Sequence, residues 1–189
     1  MGKYPSILSE VFDELVDWGK QIDEAELDQM ADAIAAANQI FVAGAGRSGF
    51  AARAFANRLT HTVGHKVHFV GEVTQPPIGA GDLLIINSGS GTTKGLVAMA
   101  ETAVKNGASI ATVTIFPART IGSMSKAIIR LPVTTNMYLE PDKRIETIQP
   151  MGNTYEQLSL IVLDTVANKL WRVSGQTEEK MMARHANLE

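Results

Sequence analysis

Three short stretches of this chain combine residue types that can do chemistry. The first is Ser88-Gly89-Ser90-Gly91-Thr92-Thr93, directly after the apolar run 83–86 and before a helical pattern over 94–106. A buried strand, a small hydroxyl-rich loop and a helix start make a nest for an anion. Glycines let the backbone approach, and the unpaired N–H groups of the first helical turn point outward. Ser88, Ser90, Thr92 and Thr93 add donors without adding charge. The ligand such a loop suits is a phosphate monoester. The plainer reading is a linker or an N-capped helix start, since Ser and Thr cap helices in any case. The second stretch, Gly44-Ala45-Gly46-Arg47-Ser48-Gly49, follows a short strand over 40–43 and precedes an Ala-rich helix over 50–61. Its glycine spacing matches the dinucleotide fingerprint, with Glu72 after the next strand. A second hydroxyl-rich loop is not something that fold requires, and the chain leaves little room for a separate substrate domain. The other reading has Arg47, with its planar fork of donors, and Ser48 helping to hold a small phosphorylated substrate in a site shared with the 88–93 loop. An exposed arginine at a helix start is the bland alternative, although the helix dipole disfavours a cation there.

The third stretch is Gly152-Asn153-Thr154-Tyr155-Glu156-Gln157. Thr154-x-x-Gln157 reads as a capping box, and a first-turn glutamate is favoured by the dipole. Glu156 is also the carboxylate standing closest to a glycine break and a buried helix, which sets a catalytic role beside the plainer one of helix start. His61 ends a helix, where an imidazolium is favoured. His65 and His68 flank and enter a strand, and His185 lies in a charged tail. No spacing among the four histidines resembles a metal cluster. Neither a nucleophile elbow nor a Walker loop occurs.

The elements that must position these residues alternate. Strands are expected over 40–43, 66–70, 82–86, 109–115 and 127–131, with helices over 50–61, 94–106 and about 121–126. Compact apolar strands separated by helices imply an α/β fold, a doubly wound parallel sheet covered on both faces. Ligands in such sheets bind at the carboxyl ends of strands, where both Gly/Ser loops lie. Two amphipathic helices, over 4–20 and 23–37, precede the first strand and pack on their own sheet or on a partner subunit. The resulting organisation is an N-terminal helical segment 1–38, an α/β domain 39–174 and a C-terminal tail 175–189. Within the domain, 132–150 is an irregular stretch, and the helix over 153–173 is apolar nearly all round.

With 189 residues, 45% hydrophobic and 20% charged, the chain is expected to form one globular domain with a real core. A net charge of −3 offers no basic field for nucleic acid or an anionic membrane surface, so an anionic substrate must be held by dipoles and a few placed cations. The absence of cysteine excludes thiolate chemistry and a disulfide framework. No apolar run approaches membrane-spanning length, and a cytoplasmic location is the expectation.

Taken together, Val42-Ala-Gly-Ala-Gly-Arg-Ser-Gly49, Arg58-Leu59-x-His61, Gly71-Glu72-x-Thr74-x-Pro76, Gly81-Asp82-Leu83-Leu84, the 88–93 loop, Met151-Gly152 through Glu156 and the ending Arg184-His185-Ala186-Asn187-Leu188-Glu189 resemble the sugar isomerase (SIS) domain family. More narrowly they resemble its 6-phospho-3-hexuloisomerase branch. That resemblance implies a five-stranded parallel sheet between helices, a homotetramer (or dimer of dimers) and no cofactor. It implies interconversion of D-arabino-hex-3-ulose 6-phosphate and fructose 6-phosphate in the ribulose monophosphate pathway. Ser48 and the 88–93 loop would hold substrate, Glu156 would be the base, and His61 a second polar group, supplied across a subunit boundary. Two departures stand out: Asn153-Thr154-Tyr155 replaces a small-apolar-aromatic run, and Phe116-Pro117-Ala118-Arg119 replaces an Asn-Pro-Asp-Ser type turn. A non-catalytic sugar-phosphate sensor, or an isomerase for another sugar phosphate, remains the alternative.

Overall fold

The computed structural model describes residues 6–62, 64, 66–133, 147–185 and 187. His65, Leu188, Glu189 and most of the irregular 132–150 stretch lie outside them.

Two helices, α1 (Leu8–Gly19) and α2 (Glu24–Ala35), lead into β1 (Gln39–Gly44). There follow α3 (Gly46–Thr62), β2 (Lys66–Phe69), β3 (Leu83–Asn87), α4 (Lys94–Lys105), β4 (Ser109–Thr114), α5 (Thr120–Met124) and β5 (Ala127–Arg130). The long helix α6 (Asn153–Val173) and the short α7 (Glu178–Met182) close the chain. All strand pairs are parallel, in the order β2-β1-β3-β4-β5. From the central pair β1 and β3 the chain winds outward in both directions, so the carboxyl ends of these two strands flank the topological switch point. Gly44 pairs with Asn87 there, which brings the two Gly/Ser loops side by side.

Alternation along the strands divides the core. Ile40, Val42, Leu83 and Ile85 face the layer made by α2, α3 and α6, while Phe41, Ala43, Leu84 and Ile86 face the layer containing α4 and α5. Every residue of β3 is buried, as a central parallel strand requires. Asp23 caps α2 by accepting from the amide of Ala25 at 2.9 Å, and α2 buries Leu27, Met30 and Ile34. No residue of α1 is fully buried; Leu15 and Trp18 pack on the core, while Leu8, Phe12 and Val16 stay exposed. Helix α6 is likewise not buried all round, because Ile161 is 51% exposed. No helix among the described residues is long and apolar enough to cross a membrane.

Two further sequence expectations are corrected. Helix α3 begins at Gly46 rather than at residue 50, so Arg47 and Ser48 sit in its first turn instead of a preceding loop. The cause is steric. A Cβ on Gly49 would lie 2.8 Å from the Gly44 carbonyl oxygen, and one on Gly44 would lie 2.9 Å from Gly49 Cα. Glycine at both positions lets the helix start pack directly on the strand end, and Gly46 takes a positive φ of 55°. The Thr154–Gln157 capping box does not form: Gly152 is the N-cap of α6, and the Thr154 hydroxyl donates to Glu14 instead. His185, in the charged tail, stacks its ring on His61 with centroids 5.1 Å apart.

Candidate active site

A cleft of about 340 Å³ opens over the switch point. Its floor and one side come from Arg47, Ser48, Ser88, Gly89, Ser90 and Thr93, and its other wall from 150–153, Tyr155 and Glu156. Three helices, α3, α4 and α6, begin at its edge, so three positive dipole ends converge on one volume.

The 88–93 loop owes its shape to the tethering of its carbonyls by the scaffold. Gly89 O accepts from Ile115 N at 3.2 Å and from Thr114 Oγ1 at 3.3 Å. Ser90 O accepts from the Arg119 guanidinium at 3.2 Å, and Gly91 O from Ile121 N at 3.0 Å. A trans peptide aims its N–H opposite to its C=O, so tying the Gly89 carbonyl to the scaffold turns the Ser90 amide the other way. The amides of Gly89, Ser90 and Thr93 have no acceptor among the described residues. The hydroxyls add to this. Ser88 Oγ accepts from Gly91 N at 3.3 Å, and Ser90 Oγ accepts from Thr92 N at 3.3 Å and lies 3.3 Å from Thr93 Oγ1. Gly91, at φ 65°, packs against Arg119 Cβ and does not line the cleft; Thr92 is exposed beside it. Arg119 therefore braces the loop from behind without lining the cleft, its guanidinium 3.7 Å from the Phe116 ring centroid.

Glu156 projects from the first turn of α6 and is ion-paired with Arg47 from the first turn of α3. The carboxylate side chain is 20% exposed and the guanidinium 62%, so the pair sits at the mouth, where an incoming anion can compete for the arginine.

Beneath the pair lies a buried polar network that sequence reasoning missed. Asn87, fully buried at the end of β3, donates from Nδ2 to Ser48 O at 3.1 Å and to Ser159 Oγ at 3.0 Å. The Tyr155 hydroxyl reaches Asn87 Oδ1 at 2.6 Å and Val113 O at 2.8 Å, while the Tyr155 ring packs on Gly89. One asparagine thus fixes the start of α3, the start of α6 and the end of β3 relative to one another. A single Asn after a run of buried β residues was the available signal, since a polar group there must find partners. His61, by contrast, lies about 20 Å along α3 from Ser48, at 1.5 Å per residue. It lines a separate depression with Arg58, Glu178 and His185.

Residues 33–162 match the SIS domain family. The 3-hexulose-6-phosphate isomerase of Bacillus subtilis is 42% identical over 187 residues, spanning 99% of this chain and all of the relative. The enzyme of that name from Mycobacterium gastri is 40% identical over 182 residues, 96% of this chain and 89% of its own. Among solved structures, a Methanococcus jannaschii protein inferred to be a 3-hexulose-6-phosphate isomerase superposes with a TM-score of 0.79 at 34% identity, covering 96% of this chain and 98% of that one.

Proposed function

The chain belongs to the SIS domain family, and on that premise we propose that it is a ketose-phosphate isomerase acting between D-arabino-hex-3-ulose 6-phosphate and fructose 6-phosphate. The observation that carries this reading is the opening of one acidic side chain, Glu156, onto the same cleft as the donor-lined 88–93 loop. The loop, with Ser48 and Arg47, holds the ester. Arg47 leaves Glu156 for the phosphate or a sugar oxygen, which frees the carboxylate.

Glu156 then removes the proton from C2. The released electron pair forms the C2–C3 double bond, and the C3 carbonyl oxygen takes the negative charge of a cis-enediolate. Ser48 and the backbone amides stabilise that charge by hydrogen bonds. The O2 hydroxyl proton passes to the O3 oxyanion, and Glu156 returns its proton to C3, which leaves a carbonyl at C2 and a hydroxyl at C3. Both carbons present the same face to the carboxylate, so one residue serves both transfers. A grip on the remote phosphate supplies binding energy that orients the reacting carbons. In the cell this step belongs to the ribulose monophosphate route of formaldehyde assimilation or detoxification.

His61 enters the proposal through assembly. It serves a cleft only when a second copy brings it there, and a homotetramer does so in this reading. The exposed apolar side chains of Leu8, Phe12 and Val16 on α1, of Phe50 and Leu160 beside Arg47 and Glu156, and of Ile161 on α6 support burial between copies.

The test is Glu156→Gln, assayed for fructose 6-phosphate formation and for binding of the ester. Turnover is expected to drop by about 10²–10⁴-fold, the usual share of a general base, while ester binding persists. Retained turnover removes Glu156 from the role. Ester binding by the parent with no turnover would instead favour the sensor reading, and turnover confined to another sugar phosphate would change the substrate.

A further inference from the structure

Helix α1 buries no residue fully, yet one of its carboxylates holds the ends of the segment that walls the cleft. Glu14 Oε1 accepts from two hydroxyls at once, Thr147 Oγ1 at 2.6 Å and Thr154 Oγ1 at 2.8 Å. Its Oε2 accepts from the amide of Ile148 at 3.2 Å. Thr147 and Thr154 are the two ends of the segment that carries Pro150, Met151 and Gly152 into the cleft, and Thr154 shares the first turn of α6 with Glu156. A single carboxylate oxygen therefore fastens both ends of the loop. Thr147 Oγ1 extends the anchor inward by accepting from Gln149 N at 3.1 Å.

Between the two fastened ends, Met151 holds φ 56°, the left-handed region that a non-glycine residue avoids. Such strain persists where the surroundings over-determine the backbone. Three hydrogen bonds to an ionised acceptor at the loop's ends supply that constraint, and charge-assisted bonds are the stronger kind.

We infer that Glu14 is a positioning residue for the cleft, holding 147–154 closed on itself so that Glu156 and the Pro150–Gly152 wall keep their places. Its role rests on the isomerase reading for its kinetic consequence and on its three hydrogen bonds alone for its structural one. The phosphate loop hangs from other elements, so losing Glu14 disturbs proton transfer more than ester binding. Leu15 and Trp18 keep α1 attached without it.

The experiment compares the full chain with Glu14→Ala, Glu14→Gln and Thr154→Val. In Glu14→Ala, kcat with fructose 6-phosphate is expected to fall about 10–100-fold, as sub-ångström misplacement of a catalytic group does, with KM moving less than about twofold. Amide exchange over 148–156 is expected to quicken about tenfold while the β3 amides stay protected. Glu14→Gln, whose amide oxygen can still accept both threonine hydroxyls but whose NH2 meets the Ile148 amide as donor to donor, is expected to restore part of kcat. Unchanged exchange over 148–156 overturns the inference, as does a Gln variant as impaired as the Ala one. Should Glu14→Ala not fold, Thr154→Val is read in the same way, with a smaller loss in kcat and the same local exchange. A parent chain without turnover ends the isomerase reading, while the exchange pattern still decides the fate of Glu14.

Discussion

Replacing Tyr155 by Phe isolates the network under the cleft, because it removes one oxygen and keeps the ring against Gly89. The hydroxyl has two acceptors in reach and one proton to give. Val113 O keeps a partner without it, since the Ser88 amide already donates to it at 3.0 Å. Asn87 Oδ1 does not, and Asn87 is fully buried. The cost is therefore that of one orphaned buried carbonyl, about 1–3 kcal/mol, rather than that of two lost bonds. For a chain of this size each kcal/mol lowers the thermal midpoint by about 2–4 °C, so a fall of about 2–12 °C is expected by calorimetry or circular dichroism. Asn87 also positions Ser48 and α6, so turnover is expected to drop as well, though less than in Glu156→Gln. A midpoint within about 1 °C of the parent would refute the reasoning, because it would mean that the buried amide loses nothing when the hydroxyl is gone.

Other expectations follow from single contacts. Gly49→Ala places a Cβ against the Gly44 carbonyl and should cost about 1–3 kcal/mol together with turnover. Gly95→Ala, in helix α4 with nothing within 4 Å of the new Cβ, should instead stabilise by about 0.5–1 kcal/mol in the same melting assay. Arg47→Gln removes an ion pair whose guanidinium is largely exposed but whose carboxylate is not, so stability should fall by no more than about 1 kcal/mol while the KM for fructose 6-phosphate rises about tenfold. The ammonium of Lys169 is held above its ordinary pKa of 10.5 by hydrogen bonds to Asp28 and then Glu24. That contribution is intact below pH 10.5 and is lost as pH rises through the elevated folded value. Lys169→Met should therefore flatten the alkaline end of the stability profile in chemical-denaturation series and leave the rest of its shape unchanged.

The alternation of compact strands and helices was legible because each element carries its own periodicity; α6 falls on the residues its apolar pattern marks, 153–173. Gly107 ends α4 at φ 83°, as a helix-terminating glycine should. The order of strands was not legible, since pairing β1 with β3 is a long-range choice. At the cleft, the Ser/Gly loop and Glu156 announced themselves through composition and a glycine break. Asn87 and Glu14 did not. Their partners lie 72 and 140 positions away, and an isolated polar residue does not name a partner at that distance. The glycine spacing at 44–49, which matches the dinucleotide fingerprint, has a steric cause in the close packing of α3 on β1 at Gly44 and Gly49.

The tethered carbonyls of residues 89–91 have a kinetic corollary. Their peptide planes are oriented by β4, Arg119 and α5, and those anchors exist whether or not anything occupies the loop. An arriving ester meets a mould that has already set, so capture at this loop needs no rearrangement and should run at the pace of encounter. Any slow phase seen on mixing then belongs to the opposite wall, where Arg47 must let go of its carboxylate and the segment stapled by α1 must admit the sugar.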